Sequence, residues 1–564
     1  MGRGPMLEGL PGVHPALILT LGAVAVALSP RRSRPWLFVV AAALAGLATL
    51  GLTDGTTWNY DFYGVELTPL RVDRLSLAFA YVFSIALVAG GVFGMRTMGA
   101  LERPSTLMYA ASAFGVVFAG DLVTLFFFWE LKVAGSALLI FARRSPASAG
   151  AGMRYLFVSL AGGIVLLGGI GWWITQTGSI TFGDLGLDGG ASALILVGFL
   201  ISAAAVPLHA WMPDAYPAST VAGTVFLAAF TSKAAIYALA RGFPGTNLLI
   251  WVGVVMALWG VVFALAVNDT RRMLVYSSVS QGGFMVAAIG VGSALAIDGA
   301  VSHAFAHIVY KGLLLMAIGA VLWATGHTRL TRLHGLGKVL PWVAVLYMVG
   351  ALSIGGIPLL SGFVAKEMSA LAIDDNGFGV AYWLLKLASV GTLLVVVFRL
   401  PWFTFVTQRT TAAEHTSVAD HTALRQRVPA SMYVAMVALA CVNVVIGVWP
   451  NLLYRLLPNE GGSYEPFTAY RVTNSLALAV GALAAFWVGR RWLAGRPISV
   501  RDTDWFYRDL PRRLAPTWNR IRMPDVAIRL PELPRTPVWV STLWVSGVVV
   551  VGVLVTLLAV GMLA

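Results

Sequence analysis

The chain has 564 residues, 58% hydrophobic and only 11% charged, with a formal net charge of +14. A soluble protein carries about a quarter charged residues, so this composition excludes an ordinary soluble fold and implies a chain built for a bilayer. The single cysteine, Cys441, excludes an internal disulfide and any cysteine-held cluster or zinc site. With no Walker A and no strand-linked GxGxxG either, no nucleotide, flavin, metal or other cofactor is expected.

Apolar runs recur from residue 14 to Ala564. A bilayer core takes roughly 20 apolar residues per helix, and the runs are continuous rather than alternating, which excludes a β-barrel. The expectation is an all-α polytopic membrane protein of about 14–16 spans. In chain order they fall near 13–30, 35–53, 73–95, 104–120, 121–142, 151–175, 191–212, 218–241, 247–267, 273–295, 297–325, 340–373, 379–406, 430–457, 472–493 and 537–562. The basic cluster RRSR at 31–34 follows the first run instead of preceding it, unlike a secretory signal.

The loops after spans 1, 3, 5, 9, 11 and 13 carry Arg31, Arg32 and Arg34; Arg96 and Arg103; Arg143 and Arg144; Arg271 and Arg272; Arg329 and Arg332; and Arg409, Arg425 and Arg427. Eleven more arginines lie between Arg490 and Arg535. Loops on the other side have few, with Arg71, Arg74 and Arg241 as exceptions. The positive-inside rule then places both termini on the outer side of a plasma membrane. The basic balance reads as a topology signal and a contact for anionic lipid, with no nucleic-acid partner. The segment 494–536 is basic, aromatic and punctuated by proline, so it forms no single long helix; it is expected along the cytoplasmic face or against a neighbouring subunit.

Two spans are interrupted. VPLHAWMPDAYPAST (206–220) places Pro207, Pro213 and Pro217 at and just after span 7, and LSIGGIPLLSGFVAKEM (352–368) places Gly355, Gly356 and Pro358 inside span 12. Paired discontinuous helices in corresponding positions mark an ion site between repeated halves. Their separation by five spans makes spans 4–8 and 9–13 two repeats. An odd number of spans inverts one relative to the other. The implied organisation is 1–103 (three N-terminal spans), 104–241 and 247–406 (the inverted five-helix repeats), 407–493 (C-terminal spans), 494–536 and a final span in 537–564.

Arginine and lysine separate sharply. Only six of the 39 basic residues are lysine, and Lys132, Lys233, Lys311, Lys366 and Lys386 fall inside apolar spans, with Lys338 at an edge. Arginine keeps its proton in a protein; buried lysine can release one. A mid-span lysine costs about 2.5–3.5 kcal/mol, so function is the default reading. In SHAFAHIVYKGLLL (302–315), His303, His307 and Lys311 step by four. They drift only about 80° around the helix while rising about 12 Å, a ladder of titratable groups across the membrane. The bland alternative is two core histidines and a snorkelling lysine. A haem would need ligands on opposite faces, and zinc through HxxxH lacks the glutamate of HExxH.

Glu130, in DLVTLFFFWELKVAG (121–135), needs a partner or a proton. Lys132, two residues on, points elsewhere on a helix and reads as an end-of-span lysine. Lys233 on another helix is the expected partner. Lys366 sits just past the second break, Glu367 beside it faces another way, and Lys386 is the counterpart of Lys233 in the second half.

LFFFWE, VPLHAWMPDA, FTSKAAIYAL (230–239), NDTRRMLVYSSVSQGGFM (268–285), HAFAHIVYKGLLL and GIPLLSGFVAKE together resemble, over residues 70–400, the antiporter-like subunits shared by respiratory complex I, Mrp-type cation/proton antiporters and membrane-bound hydrogenases. DTDWFYR (502–508) is most similar to the D-type Mrp subunit. The resemblance implies two inverted five-helix repeats, partner membrane subunits, protons with Na⁺ or K⁺ as cargo, and no catalytic chemistry of the chain's own. Carried over by position, it implies a proton path of Glu130, Lys233, His303, His307, Lys311 and Lys366. One departure stands out. Many members of this family carry a lysine where this chain has Ser202. Either Lys233 pairs with Glu130 directly, or waters and His209 fill the gap, or this half no longer conducts. The rival expectations are a subunit of a redox-driven complex, a subunit of a bicarbonate-accumulating complex, and a non-conducting scaffold.

Overall fold

Every expected span up to residue 493 is helical in the computed structural model of the protein, which describes residues 12–407, 424–462, 464–494, 502, 503 and 505. In order these are α1 (Pro15–Leu28), α2 (Arg34–Gly51), α3 (Arg74–Gly94), α4 (Glu102–Phe118), α5 (Leu122–Phe141), α6 (Pro146–Thr177), α7 (Gly190–Ser202), α8 (Trp211–Ala218), α9 (Val221–Gly242), α10 (Leu248–Ala266), α11 (Thr270–Val291) and α12 (Ala294–Thr325). There follow α13 (Pro341–Ile354), α14 (Ser361–Asp375), α15 (Gly379–Thr392), which continues as π-helical turns to Val406, α16 (Ala430–Val448), α17 (Asn451–Tyr454) and α18 (Ala469–Leu493). Among the described residues, eleven helices are long and apolar enough to cross a bilayer, and α1, α7 and α13 are shorter apolar helices. The expected span at 537–562 and nearly all of the segment 494–536, including most of DTDWFYR, lie outside the described residues.

Two units are distinguished, residues 1–60 with 66–500, and residues 61–65 with 501–564. Of the second, the described residues are the turn at 61–65 and Asp502, Thr503 and Trp505. One element departs from the all-helical expectation. Between α2 and α3, β1 (Thr57–Phe62) and β2 (Val65–Arg71) pair as a two-stranded sheet. Tyr63 and Gly64 both take positive φ, the geometry of a two-residue hairpin turn.

The two breaks are built alike. After α7 the N–H groups of Ala203, Ala204 and Ala205 donate to the carbonyls of Phe199, Ile201 and Leu200; after α13 those of Gly355, Gly356 and Ile357 donate to Ala351, Ser353 and Leu352. Ala204 (φ 60°) and Gly356 (φ 76°) occupy the same left-handed position. The caps repeat as well. Asp121 caps α5 and bridges to Thr181, while Asp269 caps α11 and bridges to Arg329. The two halves therefore share a backbone plan. Prolines 213 and 217 fall within α8 rather than in the break, which spans 203–210.

α9, α11 and α12 are almost wholly buried, whereas most residues of α2, α6 and α18 are at least partly exposed. In lipid, apolarity does not drive a helix inward; polar residues do, because they need protein partners. α9 and α11, the spans of lowest mean hydropathy, and α12 with its two histidines and a lysine accordingly hold the centre. α10 lies against α11 through small residues: a Cβ on Gly253 would strike the Gly283 carbonyl, and one on Gly260 the Ser280 backbone. The arginine-bearing helix ends surround a cavity of about 720 Å³ beside Glu102. There Arg271 is buried and donates to the carbonyls of Pro217 (2.9 Å), Ser219 (3.2 Å) and Thr220 (2.8 Å), closing the junction of α8 and α9. The arginines on the sparse side are neutralised instead: Arg241 pairs with Asp73 at 2.7 Å, and Arg74 with Glu460.

Candidate functional site

The apolar α5 carries Trp129, Glu130 and Lys132 in its buried middle. The Glu130 carboxyl faces α6, where only a glycine fits: a Cβ on Gly163 would collide with Oε1. That oxygen is buried and meets no hydrogen-bond partner among the described residues. Lys132 is fully buried, not at the end of a span. Its Nζ lies 3.5 Å from the centre of the Trp129 ring and donates to Ser202 Oγ on α7 at 3.3 Å. No ion pair forms on Glu130 among the described residues, and Lys132 is the basic residue next to it on α5. The expected direct pair of Glu130 with Lys233 does not form. Lys233 on α9 donates to its neighbour Ser232 Oγ at 3.2 Å. Two residues apart on a helix, Glu130 and Lys132 do point apart, but the long lysine stem folds over Trp129 and keeps its charge nearby.

His209 is buried in the break after α7, with its ring 5.9 Å from that of Trp259 on α10 and 6.4 Å from Tyr276 on α11. These two ring neighbours belong to the second half.

On α12 the three groups spaced by four are buried together. His303 Nε2 lies 3.2 Å from Gln281 Oε1 of α11 and 3.2 Å from Tyr310 Oη. Neither ring nitrogen of His307 meets a hydrogen-bond partner among the described residues, and its ring packs edge-on against Tyr310 at 5.3 Å. Lys311 donates to Ser277 Oγ of α11 at 2.6 Å. The Phe284 ring of α11 lies 5.9 Å from that of His303 and so stands between the ladder and Lys366 of the second half. Lys366 on α14 donates to Ser389 Oγ of α15 at 2.6 Å, with the Phe284 ring 4.8 Å from its ammonium.

Lys386 behaves differently. It forms an ion pair with Glu367 at 2.7 Å, toward a more open edge. Glu367 is therefore a partner and not a bystander, and Lys386 differs from its expected counterpart Lys233, which has no ion pair among the described residues. Sequence reasoning misses Lys132 as a buried group, and it misses the hydroxyl and amide acceptors Ser232, Ser277, Gln281 and Ser389. A signal for Ser277 and Gln281 is present: they stand one turn apart in an apolar span (SSVSQGG). No group of metal-ligating side chains occurs among the described residues.

A bundle with two matched broken helices and a file of buried lysines and histidines defines an ion-handling, multi-pass integral membrane protein. A family model for the transmembrane region of NADH:quinone oxidoreductases and Mrp antiporters matches residues 119–395. The chain is 32% identical over 475 residues to the N subunit of the NADH-quinone oxidoreductase of Desulforudis audaxviator, covering 76% of this chain and 93% of that protein. It is 30% identical over 361 residues to the D subunit of the Na(+)/H(+) antiporter of Alkalihalophilus pseudofirmus, covering 58% of this chain and 73% of that protein. A solved chain of the Mrp complex from Dietzia sp. DQ12-45-1b superposes with a TM-score of 0.71 at 26% identity, covering 84% of this chain and all of the other. The chain belongs to the family of membrane subunits shared by NADH:quinone oxidoreductases and Mrp antiporters.

Proposed function

We propose that the chain is the proton-translocating subunit of a multi-subunit, Mrp-type Na⁺ or K⁺/proton antiporter, set in the plasma membrane with both termini outside and packed among other membrane subunits. The observation that carries this reading is the file of buried basic groups. Lys233, His303, His307, Lys311 and Lys366 are all buried, and none forms an ion pair among the described residues. A lysine kept for glue takes a carboxylate, as Lys386 does. A lysine held by one hydroxyl keeps the freedom to gain and lose its proton, because its partner is as good for an amine as for an ammonium. Loading one site changes the field at the next, so a proton moves by stepwise repulsion along Glu130, Lys233, the α12 ladder and Lys366. A buried imidazole such as His307, unbonded to protein, is a station for water.

The second reading, a proton-pumping subunit of a redox-driven complex, is favoured by the likeness to an oxidoreductase N subunit over nearly the whole of that protein. Everted vesicles from an antiporter-deficient host carrying the complete complex separate the two. Na⁺ or K⁺ pulses that collapse a preset ΔpH support the antiporter. An assembled complex that ignores both cations and acidifies the lumen only during electron transfer supports the redox-driven reading.

A further inference from the structure

We propose that Lys132, seated by Ser202, is the switching cation of the first half-channel, so that this chain carries the carboxylate and its controlling ammonium on the same helix. The inference rests on the proton-translocation reading and adds a residue to it.

Three features of the seat are those of a switch. Among the described residues, Lys132 has no carboxylate in contact. It is held by a neutral hydroxyl and the face of an indole, both weaker holds than the ion pair of Lys386 with Glu367. Ser202 is the last residue of α7, and the break at 203–210 is what ends the helix there. The carbonyl end of a helix carries a partial negative charge that favours a cation, so the broken helix offers the ammonium a place without fixing its proton. Next to the seat is a cavity of about 10 Å³, room for about one water. Tyr155, Ser159, Ser202 and Thr231 contribute hydroxyls to its wall. Its wall joins Ser202, which seats Lys132, to Thr231 of α9, the helix that carries Lys233, so a water there would stand between the seat and that helix.

In the step implied, the Lys132 ammonium gives one proton to the cavity water: an Nζ–H bond breaks and an O–H bond forms. The water hands a proton on toward Lys233. The neutral amine no longer holds Glu130 as carboxylate, and Glu130 takes up a proton from the opposite side. Ser202 neither gains nor loses charge; it is a positioning residue.

The test uses the complete complex in everted vesicles, with Lys132→Ala, Lys132→Arg, the double variant Lys132→Ala/Ser202→Lys, and Lys233→Ala as the control for the underlying reading. Assembly is checked by affinity capture of the partner subunits. The inference expects Lys132→Ala to lower exchange at least about tenfold (about 1.4 kcal/mol) in an assembled complex. It also expects the double variant to recover most of the rate by returning an ammonium to the seat from α7. Arginine keeps charge but not a releasable proton, so Lys132→Arg assembles and stays inactive. Wild-type exchange by Lys132→Ala beside a dead Lys233→Ala overturns the inference and leaves the reading standing; wild-type exchange by both overturns the reading. Should Lys132→Ala fail to assemble, Lys132→Arg decides: wild-type exchange makes Lys132 a fixed structural cation and overturns the inference.

Discussion

Glu130 owes its chemistry to a missing methyl group. The carboxyl occupies the space that a side chain at residue 163 would fill. Gly163→Val should therefore push the carboxyl off its site and cut transport at least about tenfold while the complex still assembles, since the change costs only roughly 1–3 kcal/mol of overpacking. Proton flux and partner capture measured on the same vesicles check this, and unchanged flux would count against the Glu130 assignment. At the ladder, His307→Phe fills the ring's volume but removes both nitrogens. It should stop proton flux without loss of assembly, whereas a merely packed histidine would tolerate it. The titratable residues are legible in the sequence because a charge in an apolar run is conspicuous. Their partners are not. Ser232, Ser277 and Ser389 are ordinary residues in a membrane helix, and only the packing of α9, α11, α14 and α15 makes them acceptors. Lys132 misleads for a physical reason: helical angle places its Cβ away from Glu130, but a four-carbon stem decides where the charge goes.

The broken helices depend on supports from elsewhere in the chain. Arg271, from the first turn of α11, satisfies the carbonyls at the end of α8. Arg271→Ala strands them in a buried setting and should destabilise the junction by roughly 2–3 kcal/mol, seen as a lower melting temperature of the detergent-extracted complex; an unchanged melt would show that the junction is held otherwise. Replacing Gly260 by leucine should act similarly on the seam between α10 and α11, where backbone meets backbone. The breaks themselves are foreseeable from Pro207 and from Gly355, Gly356 and Pro358. That the two are built on one hydrogen-bond plan is not, because Ala204 and Gly356 share a backbone angle and no side-chain signature. The hairpin at 57–71 escapes a reading that follows only hydrophobic runs, in which a short polar stretch between spans counts as loop.

Across the whole molecule, charge placement and the central file belong to one design. Arginines crowd one side, and on the other Arg74 and Arg241 are cancelled by Glu460 and Asp73. In a Cys441→Ala background, a cysteine replacing Tyr63 should react with an impermeant maleimide on intact spheroplasts, and one replacing Arg332 only after lysis; the reverse would invert the topology. Between these faces, α12 carries its ladder between the lysines of two halves built alike. The measurement that bears most directly on this account is cation-driven ΔpH collapse in everted vesicles holding the complete complex, with wild-type chain, Glu130→Ala or Lys233→Ala. The account predicts Na⁺- or K⁺-dependent exchange in the wild type and its loss in both variants, with the complex intact. Exchange at the wild-type rate in both would contradict it, and protons would then cross by another route.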